Sequence, residues 1–229
     1  MPNIPVVQHI LSANDQIAAE NRALFDASGI LVLNLMASPG AGKTSVILAT
    51  AARLPAAMRP GVIEGDLASR IDADIIAARG IPVTQINTGG GCHLDAPMIR
   101  SALPGLPLAD LNLLLIENVG NLVCPANFAL GADLNVVVAS APEGHDKPYK
   151  YPGMFAAADV VLLNKADLID VFEFDLPFFE RGLRMVNDRA PLFLLSCKSG
   201  AGVDAWVDWL AGPERLAGPE RLAERWRQR

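Results

Sequence analysis

Residues 30–44 read ILVLNLMASPGAGKT, and this stretch decides the fold. Its first half, residues 30–36, is continuous, apolar and partly β-branched, which predicts a strand buried in a parallel sheet. Its second half, residues 37–44, matches the phosphate-loop pattern GxxxxGK[ST] except that Ala37 replaces the first glycine. A strand, a glycine-rich loop and a helix in this order predict a P-loop nucleotide-binding domain.

The loop supplies a set of candidate phosphate contacts, which are Gly40, Ala41, Gly42, Lys43, Thr44 and Ser45. Backbone N–H groups of such a loop point at phosphate oxygens, and the helix start adds the positive end of its dipole. We expect Lys43 to be an exposed loop side chain that reaches the β- and γ-phosphates, and Thr44 to give its hydroxyl to Mg²⁺. A glycine-rich turn that binds nothing is the alternative, but it leaves the Lys-Thr pair unexplained.

The rest of the chain alternates between strand and helix patterns. Further buried strands are predicted at residues 62–64, 83–86, 111–116, 134–139, 160–164 and 192–196. Helices are predicted at residues 44–53, 69–79, 96–102, 172–188 and 203–210. This alternation predicts an α/β fold of three layers (αβα) with a largely parallel central sheet.

Three segments are expected along the chain. An amphipathic helix within residues 1–29 should pack on the domain at residues 30–210, and residues 211–229 should form a tail or helix. The first segment places apolar residues at two spacings of seven, namely Ile10, Ile17 and Leu24, and Leu11, Ala18 and Phe25. Such spacing predicts one apolar helical stripe. The tail repeats AGPERL, a repeat too short to be an architectural unit.

The amino-acid composition restricts the kinds of partner that the protein is expected to bind. A chain of 229 residues that is 51% hydrophobic can bury one sizeable core. The net charge of -6 opposes the attraction that drives binding to nucleic acid or acidic membranes. No apolar run approaches the roughly 20 residues that span a bilayer, and no signal peptide is apparent. We therefore expect a cytoplasmic protein without nucleic acid or membrane partners.

An NKxD motif ends the predicted strand 160–164, and it consists of Asn164, Lys165 and Asp167. The Asp167 carboxylate can accept hydrogen bonds from guanine N1–H and N2–H₂, donors that adenine does not present there, so guanine should be preferred. The next predicted strand leads into Ser196, Cys197 and Lys198, which resemble the SAK-type loop that contacts guanine O6 through a backbone N–H. Cys197 is then expected to be structural.

Three acids are candidates for holding Mg²⁺ and the attacking water: Asp66, Asp72 and Glu117. Asp66 and Glu117 each follow a predicted strand, at the edge where a parallel sheet places its ligands. We predict that Thr44 and Glu117 hold Mg²⁺ while Asp66 orients water, which makes Lys43, Asp66 and Glu117 the candidate catalytic residues. The alternative is that all three acids lie on the surface without a function.

Cys92 and His93 lie in a glycine-rich loop, and Cys124 follows Glu117. Thiolate and imidazole ligands suit Ni²⁺ or Zn²⁺, although free cysteines are also commonly buried without a ligand. The position of Cys124, where GTPases place the segment that responds to the γ-phosphate, favours a metal site coupled to the nucleotide. Three ligands are fewer than the four of a closed structural zinc site, so an open position or a site shared across a dimer is expected.

Several segments resemble, in order, those of the HypB family of hydrogenase maturation GTPases: SPGAGKTS, IEGDLAS, NTGGGCHLDAPMI, ENVGNLVCP, PEGHDKPYKYP and NKADL. The resemblance covers about residues 8–210. It implies a SIMIBI-class GTPase that uses GTP/GDP and Mg²⁺ and delivers nickel during NiFe hydrogenase maturation. It also implies a GTP-dependent homodimer with Cys92, His93 and Cys124 as interface metal ligands, a metallochaperone partner and a hydrogenase precursor.

Three alternatives stay open. A UreG-like urease nickel GTPase would carry a Cys-Pro-His metal motif, which does not occur in this sequence. A metal-binding dimer fixed by GTP would show no useful turnover. A P-loop small-molecule kinase would have little use for an NKxD motif.

Overall fold

A computed structural model describes residues 6–212, with side chains from Leu11 onward. The strands are β1 (Leu31–Ala37), β2 (Pro60–Asp66), β3 (Val83–Asn87), β4 (Leu113–Glu117), β5 (Leu134–Ser140), β6 (Val160–Asn164) and β7 (Leu192–Leu194). The helices are α1 (Val6–Ser28), α2 (Lys43–Ala51), α3 (Ile71–Ala77), α4 (Ala96–Ala102), α5 (Lys147–Lys150), α6 (Pro152–Ala156), α7 (Leu176–Val186) and α8 (Val203–Leu210). Short 3₁₀ turns include Cys124–Asn127 and Ala141–Glu143.

The strands form one sheet in the order β3-β2-β4-β1-β5-β6-β7. Every described strand pair is parallel, so the predicted parallel sheet is confirmed. The strand that leads into the P-loop is central, between β4 and β5. Because all strands run the same way, their carboxyl ends meet at one edge, and β1, β2, β4 and β6 end there at Ala37, Asp66, Glu117 and Asn164.

Helices cover both faces of the sheet. On one face Leu33 and Leu35 of β1 pack in a cluster with residues of α2 and α8, including Trp206. On the other face Val32 packs with Phe25 of α1 and with residues of α4, and Met36 packs with residues of α6 and α7. All seven residues of β1 are buried, which explains why six of them are apolar. The polar residue, Asn34, donates a hydrogen bond to Asn135 Oδ1 at 3.0 Å. The three-layer prediction is confirmed.

Helix α1 differs from its predicted apolar stripe. Leu24 is 38% exposed, and the buried face consists of Asn14, Ala18, Asn21 and Phe25. The asparagines are buried because they pair with backbone groups around the start of α4. Asn14 Oδ1 accepts from Ala96 N at 2.9 Å, and Asn21 Nδ2 donates to Ala96 O at 3.0 Å. Hydrogen bonding offsets the cost of burying these amides. Ile10 lies outside the described side chains.

Most predicted elements are present, with shifted ends. The predictions 96–102, 160–164 and 203–210 match the structure. The predicted helix 172–188 is too long, because the Asp175 side chain accepts a hydrogen bond from Phe178 N at 2.8 Å and caps the helix at a later start. Helices α5 and α6 had no counterpart in the sequence analysis. Their prolines, Pro148 and Pro152, lie in the first turn of each helix, where proline is tolerated.

Within residues 6–212 no helix has the length and apolar character needed to cross a membrane. The predicted tail lies outside the described residues from residue 213 onward. The division of the chain into three segments stays a prediction.

The contact between α1 and α4 yields a first prediction. Asn21 is fully buried; it donates to Ala96 O and Leu130 O and accepts from Arg100 Nε at 2.7 Å. Asn21→Ala leaves these groups unpaired and should lower the free energy of unfolding by about 1–3 kcal/mol. Urea denaturation measures this. Glu20→Ala removes an exposed ion pair to Arg100 and should change stability by less than about 1 kcal/mol; equal effects of the two substitutions would contradict the prediction.

Candidate nucleotide and metal sites

The P-loop connects the end of β1 to the start of α2. Gly40 and Gly42 have φ angles of 78° and 100°, a region that glycine enters at little cost. A Cβ on Gly42 would lie 2.5 Å from Asn164 Nδ2, so close packing also excludes a larger residue. Gly42 makes no side-chain cap at the start of α2. The first N–H groups of α2 therefore lack a side-chain acceptor and are suited to bind phosphate oxygens.

Lys43 does not lie exposed in the loop, and that expectation is wrong. It is the first residue of α2 and is only 8% exposed. Its charge acts to lower the pKa of Glu64 in β2 and of Glu117 at the end of β4. The sequence pattern could not show this, because the carboxylates come from distant parts of the chain.

Two buried glutamates lie side by side below the P-loop. Glu64 and Glu117 are partners in the β2–β4 register and are 1% and 4% exposed. Burial raises the pKa of Glu64 to about 8, with the Glu117 charge adding to the rise. Burial also raises the pKa of Glu117 to about 7. One oxygen of each carboxyl group, Oε2, has no hydrogen-bond partner. Paired carboxylates with free oxygens fit a hard divalent cation such as Mg²⁺.

Glu64 is missing from the candidates that the sequence provided. The sequence does contain an indication that Glu64 is functional, because it is the one charged residue of the strand Pro60–Asp66 before the final Asp66. A charged residue inside a buried strand is rare unless it is paired or functional. Asp66 was the predicted Mg²⁺ candidate of this strand because it lies at the strand's carboxyl end.

The remaining Mg²⁺ candidates share the same edge. Thr44 Oγ1 donates to Glu117 Oε1 at 2.8 Å. Asp66 Oδ1 accepts from Ala68 N and Ser69 N, and these backbone hydrogen bonds lower the pKa of Asp66. Asp72 lies in the first turn of α3, and its charge contributes to the raised pKa of Glu64 and of Glu117. The structure therefore brings the predicted acids together.

A pocket of about 310 Å³ opens beside the P-loop. The predicted base contacts all line it, and they are Asn164, Lys165, Asp167, Ser196, Cys197 and Lys198, together with Ser45. Asn164 connects this pocket to the P-loop, since its Nδ2 donates to Ala41 O at 3.0 Å and its Oδ1 accepts from Cys197 N at 3.3 Å. Lys165 Nζ donates to Gly40 O at 2.7 Å. Burial raises the pKa of the Cys197 thiol to about 11, which agrees with an unreactive, structural side chain.

The candidate metal ligands also converge. One ligand atom from each of Cys92, His93 and Cys124 lies within 4.8 Å of the others. The His93 ring stacks on Phe128 with centroids 3.8 Å apart, a contact that the sequence analysis did not foresee. Burial lowers the pKa of His93, which favours the neutral imidazole that a metal ion requires. A hydrogen bond with the Cys92 side chain raises the pKa of Cys124. A bound cation would favour both thiolates.

A phosphate-binding loop on a central parallel strand, joined through Asn164 to a pocket that contains a guanine-type aspartate, defines a P-loop GTPase. The family model described as CobW/HypB/UreG, nucleotide-binding domain, matches residues 31–193. The chain is 51% identical over 201 residues to the hydrogenase maturation factor HypB of Escherichia coli (strain K12), which covers 88% of this chain and 69% of that protein.

Two solved structures are similar as well. One is HypB from Helicobacter pylori in complex with nickel, with a TM-score of 0.85, 40% identity, and coverage of 90% of this chain and 97% of that one. The other is the hydrogenase maturation factor HypB from Archaeoglobus fulgidus, with a TM-score of 0.81, 37% identity, and coverage of 87% and 98%. The chain therefore belongs to the HypB family of P-loop GTPases.

The base pocket yields a second prediction. Asp167→Asn should weaken GTP binding and favour xanthosine triphosphate, because an amide donor then faces the position-2 substituent of the purine. Competition binding with the two nucleotides measures the change in preference. Asp170→Asn, a few residues further along the same loop and outside the residues that line the pocket, is the matched control. Unchanged GTP affinity in the first variant would contradict the base-reading role.

The buried glutamates yield a third prediction, on pH. The folded protein keeps the Glu64 proton up to a pKa of about 8, against an ordinary value of 4.5, so the unfolded chain ionises first. Stability should therefore fall as pH rises between these values. Without nucleotide or divalent cations, Glu64→Gln should stabilise the protein by more than about 1 kcal/mol near pH 8 and by much less near pH 4.

Chemical denaturation in a chelating buffer at the two pH values tests this expectation. Glu180→Gln changes an exposed glutamate on α7 and should leave the pH dependence unaltered. A Glu64→Gln variant whose stability follows the unsubstituted protein at both pH values would rule out the raised pKa.

Proposed function

We propose that this GTPase binds Ni²⁺ at Cys92, His93 and Cys124 and uses GTP hydrolysis to control nickel delivery during NiFe hydrogenase maturation. The observation that carries the proposal is the convergence of the three ligand atoms within 4.8 Å, with Cys124 on the segment that begins after Glu117. Nickel in the Helicobacter pylori relative and the names of the HypB relatives support it.

GTP and GDP would bind across the carboxyl edge of the sheet. The P-loop, from Gly40 to Ser45, would hold the phosphates, and Asp167 would read guanine. Lys43 would neutralise charge that develops on the γ-phosphate. Asp66 keeps its charge through the hydrogen bonds from Ala68 N and Ser69 N, and it would orient the attacking water.

Mg²⁺ fits the buried pair of glutamates. Thr44 and Glu117 would hold the ion, with Glu64 beside Glu117 in the β2–β4 register and with Asp66 and Asp72 as further candidate ligands. When bound, the ion would neutralise charge on the β- and γ-phosphate oxygens. Because the pKa of both buried glutamates is raised, binding of the ion should release a proton near neutral pH.

The ligand set suits a metal that is carried and released. Two thiolates and one imidazole are acceptable to both Ni²⁺ and Zn²⁺, and nickel is proposed as the physiological cargo. Three ligands from one chain leave a coordination position for a donor or an acceptor molecule. The cluster is partly open to solvent, which permits exchange.

We also propose a GTP-dependent homodimer that receives nickel from a metallochaperone and passes it to a hydrogenase precursor in the cytoplasm. Exposed apolar side chains support an interface near the sites: Leu67, Ile71 and Ile75 follow Asp66, and Val123 precedes Cys124. Such residues beside a functional site mark an interaction surface. A reducing compartment would keep the free thiols available for metal.

The fourth prediction tests metal binding directly. Cys124→Ala should lower Ni²⁺ affinity by at least about 100-fold, because a ligand is lost, while GTP affinity stays unchanged because Cys124 lies in a 3₁₀ turn outside the P-loop. Isothermal titration at fixed pH measures both affinities. Cys197→Ala, the matched thiol in the base pocket, should leave Ni²⁺ affinity unchanged; loss of affinity in that variant instead would refute the ligand assignment.

Measurement of GTP hydrolysis distinguishes the proposed function from that of a GTP-fixed dimer that only stores metal. Single-turnover GTP hydrolysis, measured with and without Ni²⁺, should proceed in the unsubstituted protein and change when the metal is bound. Metal binding without measurable hydrolysis would favour storage.

A further inference from the structure

The two halves of the metal cluster are attached to the same short segment, residues 118–121, which directly follows β4. Cys124 belongs to the 3₁₀ turn after this segment, whereas Cys92 and His93 precede α4. The segment also contacts the last residues of β1 and the P-loop. It thus contacts the start of the P-loop, Cys124, and Leu94 next to His93.

Asn121 connects the P-loop to Cys124. Its backbone N–H donates to Ala37 O at 2.8 Å, at the point where the P-loop begins. Its side-chain Oδ1 accepts from Val123 N at 2.8 Å and from Cys124 N at 3.4 Å. A shift of the P-loop backbone would therefore reach the backbone of Cys124 through one residue.

Gly120 keeps this segment against the P-loop. A Cβ on Gly120 would lie 2.9 Å from Pro39 N and 3.0 Å from Pro39 Cα. Contacts that close to backbone atoms leave no room for a side chain. The P-loop and the segment are therefore packed directly against each other.

Asn118 holds the other half of the cluster. It is fully buried, and its Oδ1 accepts from Leu94 N, next to His93, at 3.0 Å. Its Nδ2 donates to Asn34 Oδ1 at 3.0 Å, and Asn34 in turn donates to Asn135 on β5 at 3.0 Å. Such a buried amide chain is costly to break. Cys92 and His93 are therefore anchored to the interior of the sheet.

We propose that Asn121 is the positioning residue through which the nucleotide in the P-loop sets the distance of Cys124 from Cys92 and His93, with Asn118 as the fixed anchor. This inference rests on the proposed metal site. Asn118 holds one part of the cluster on the sheet, and Asn121 moves the other part with the phosphate loop. Nucleotide exchange then changes the geometry offered to the metal.

The test compares Ni²⁺ affinity in the presence of GDP and of a non-hydrolysable GTP analogue. The unsubstituted protein should show a ratio between about 5 and 150, the usual range of allosteric coupling. Asn121→Ala should still bind Ni²⁺, with thiolate-to-nickel absorption bands, but with a ratio within about twofold of one. By linkage, the effect of Ni²⁺ on nucleotide affinity should vanish in the same variant.

Two further variants complete the design. Asn127→Ala is the matched control: it removes an amide of the same turn that donates to Val123 O at 3.4 Å, and it should keep the ratio. Gly120→Ala should lower the ratio by a different route, because its methyl group pushes the segment away from Pro39, and it replaces Asn121→Ala if that variant does not fold.

The outcomes separate this inference from the proposed function. Ni²⁺ binding with an unchanged ratio in Asn121→Ala overturns the role of Asn121. A ratio of one in the unsubstituted protein does so as well, while nickel binding itself stands. Absence of Ni²⁺ binding in the unsubstituted protein would instead refute the metal site on which the inference rests.

Discussion

The parallel pairing of β1 with β4 is the constraint on which both sites depend. Its register sets Leu35 opposite Glu117, so the strand that enters the P-loop ends beside the strand that carries the Mg²⁺ candidate. Thr44, at the start of α2, then reaches Glu117 within hydrogen-bonding distance. A change of register by one residue would turn Glu117 to the other face of the sheet.

That register also explains why the acids at this edge are both buried and close together. β2 pairs with the other side of β4 and sets Glu64 beside Glu117, so carboxylates that are distant in sequence become neighbours. Lys43 offsets part of the resulting charge. Lys43 alone does not compensate the negative charge of two ionised glutamates, and like charges in a buried site disfavour ionisation of both groups. A bound cation would supply the missing positive charge.

Local patterns were enough to predict the elements and motifs whose signal lies in consecutive residues. The β1 strand, the P-loop and the NKxD strand end belong to this group, and so do the ends of α4 and α8. The features that were missed depend on partners distant in sequence. Asn21 is a polar residue that its sequence neighbours give no reason to bury, yet it is buried and donates to Ala96 O. Lys43 is expected to be exposed, yet it is buried and interacts electrostatically with Glu64 and Glu117. Burial of a polar side chain is a tertiary property that no local periodicity reports.

Asn164 and Lys165 join the base pocket to Ala41 and Gly40 through hydrogen bonds within the protein itself. Such preorganisation reduces the entropy lost when a ligand is ordered. GDP and GTP share the base and the first two phosphates, so they gain equally from it. A rigid base pocket therefore favours tight binding of GDP as well as of GTP. Discrimination between the two nucleotides then depends on the end of the P-loop that contacts the γ-phosphate.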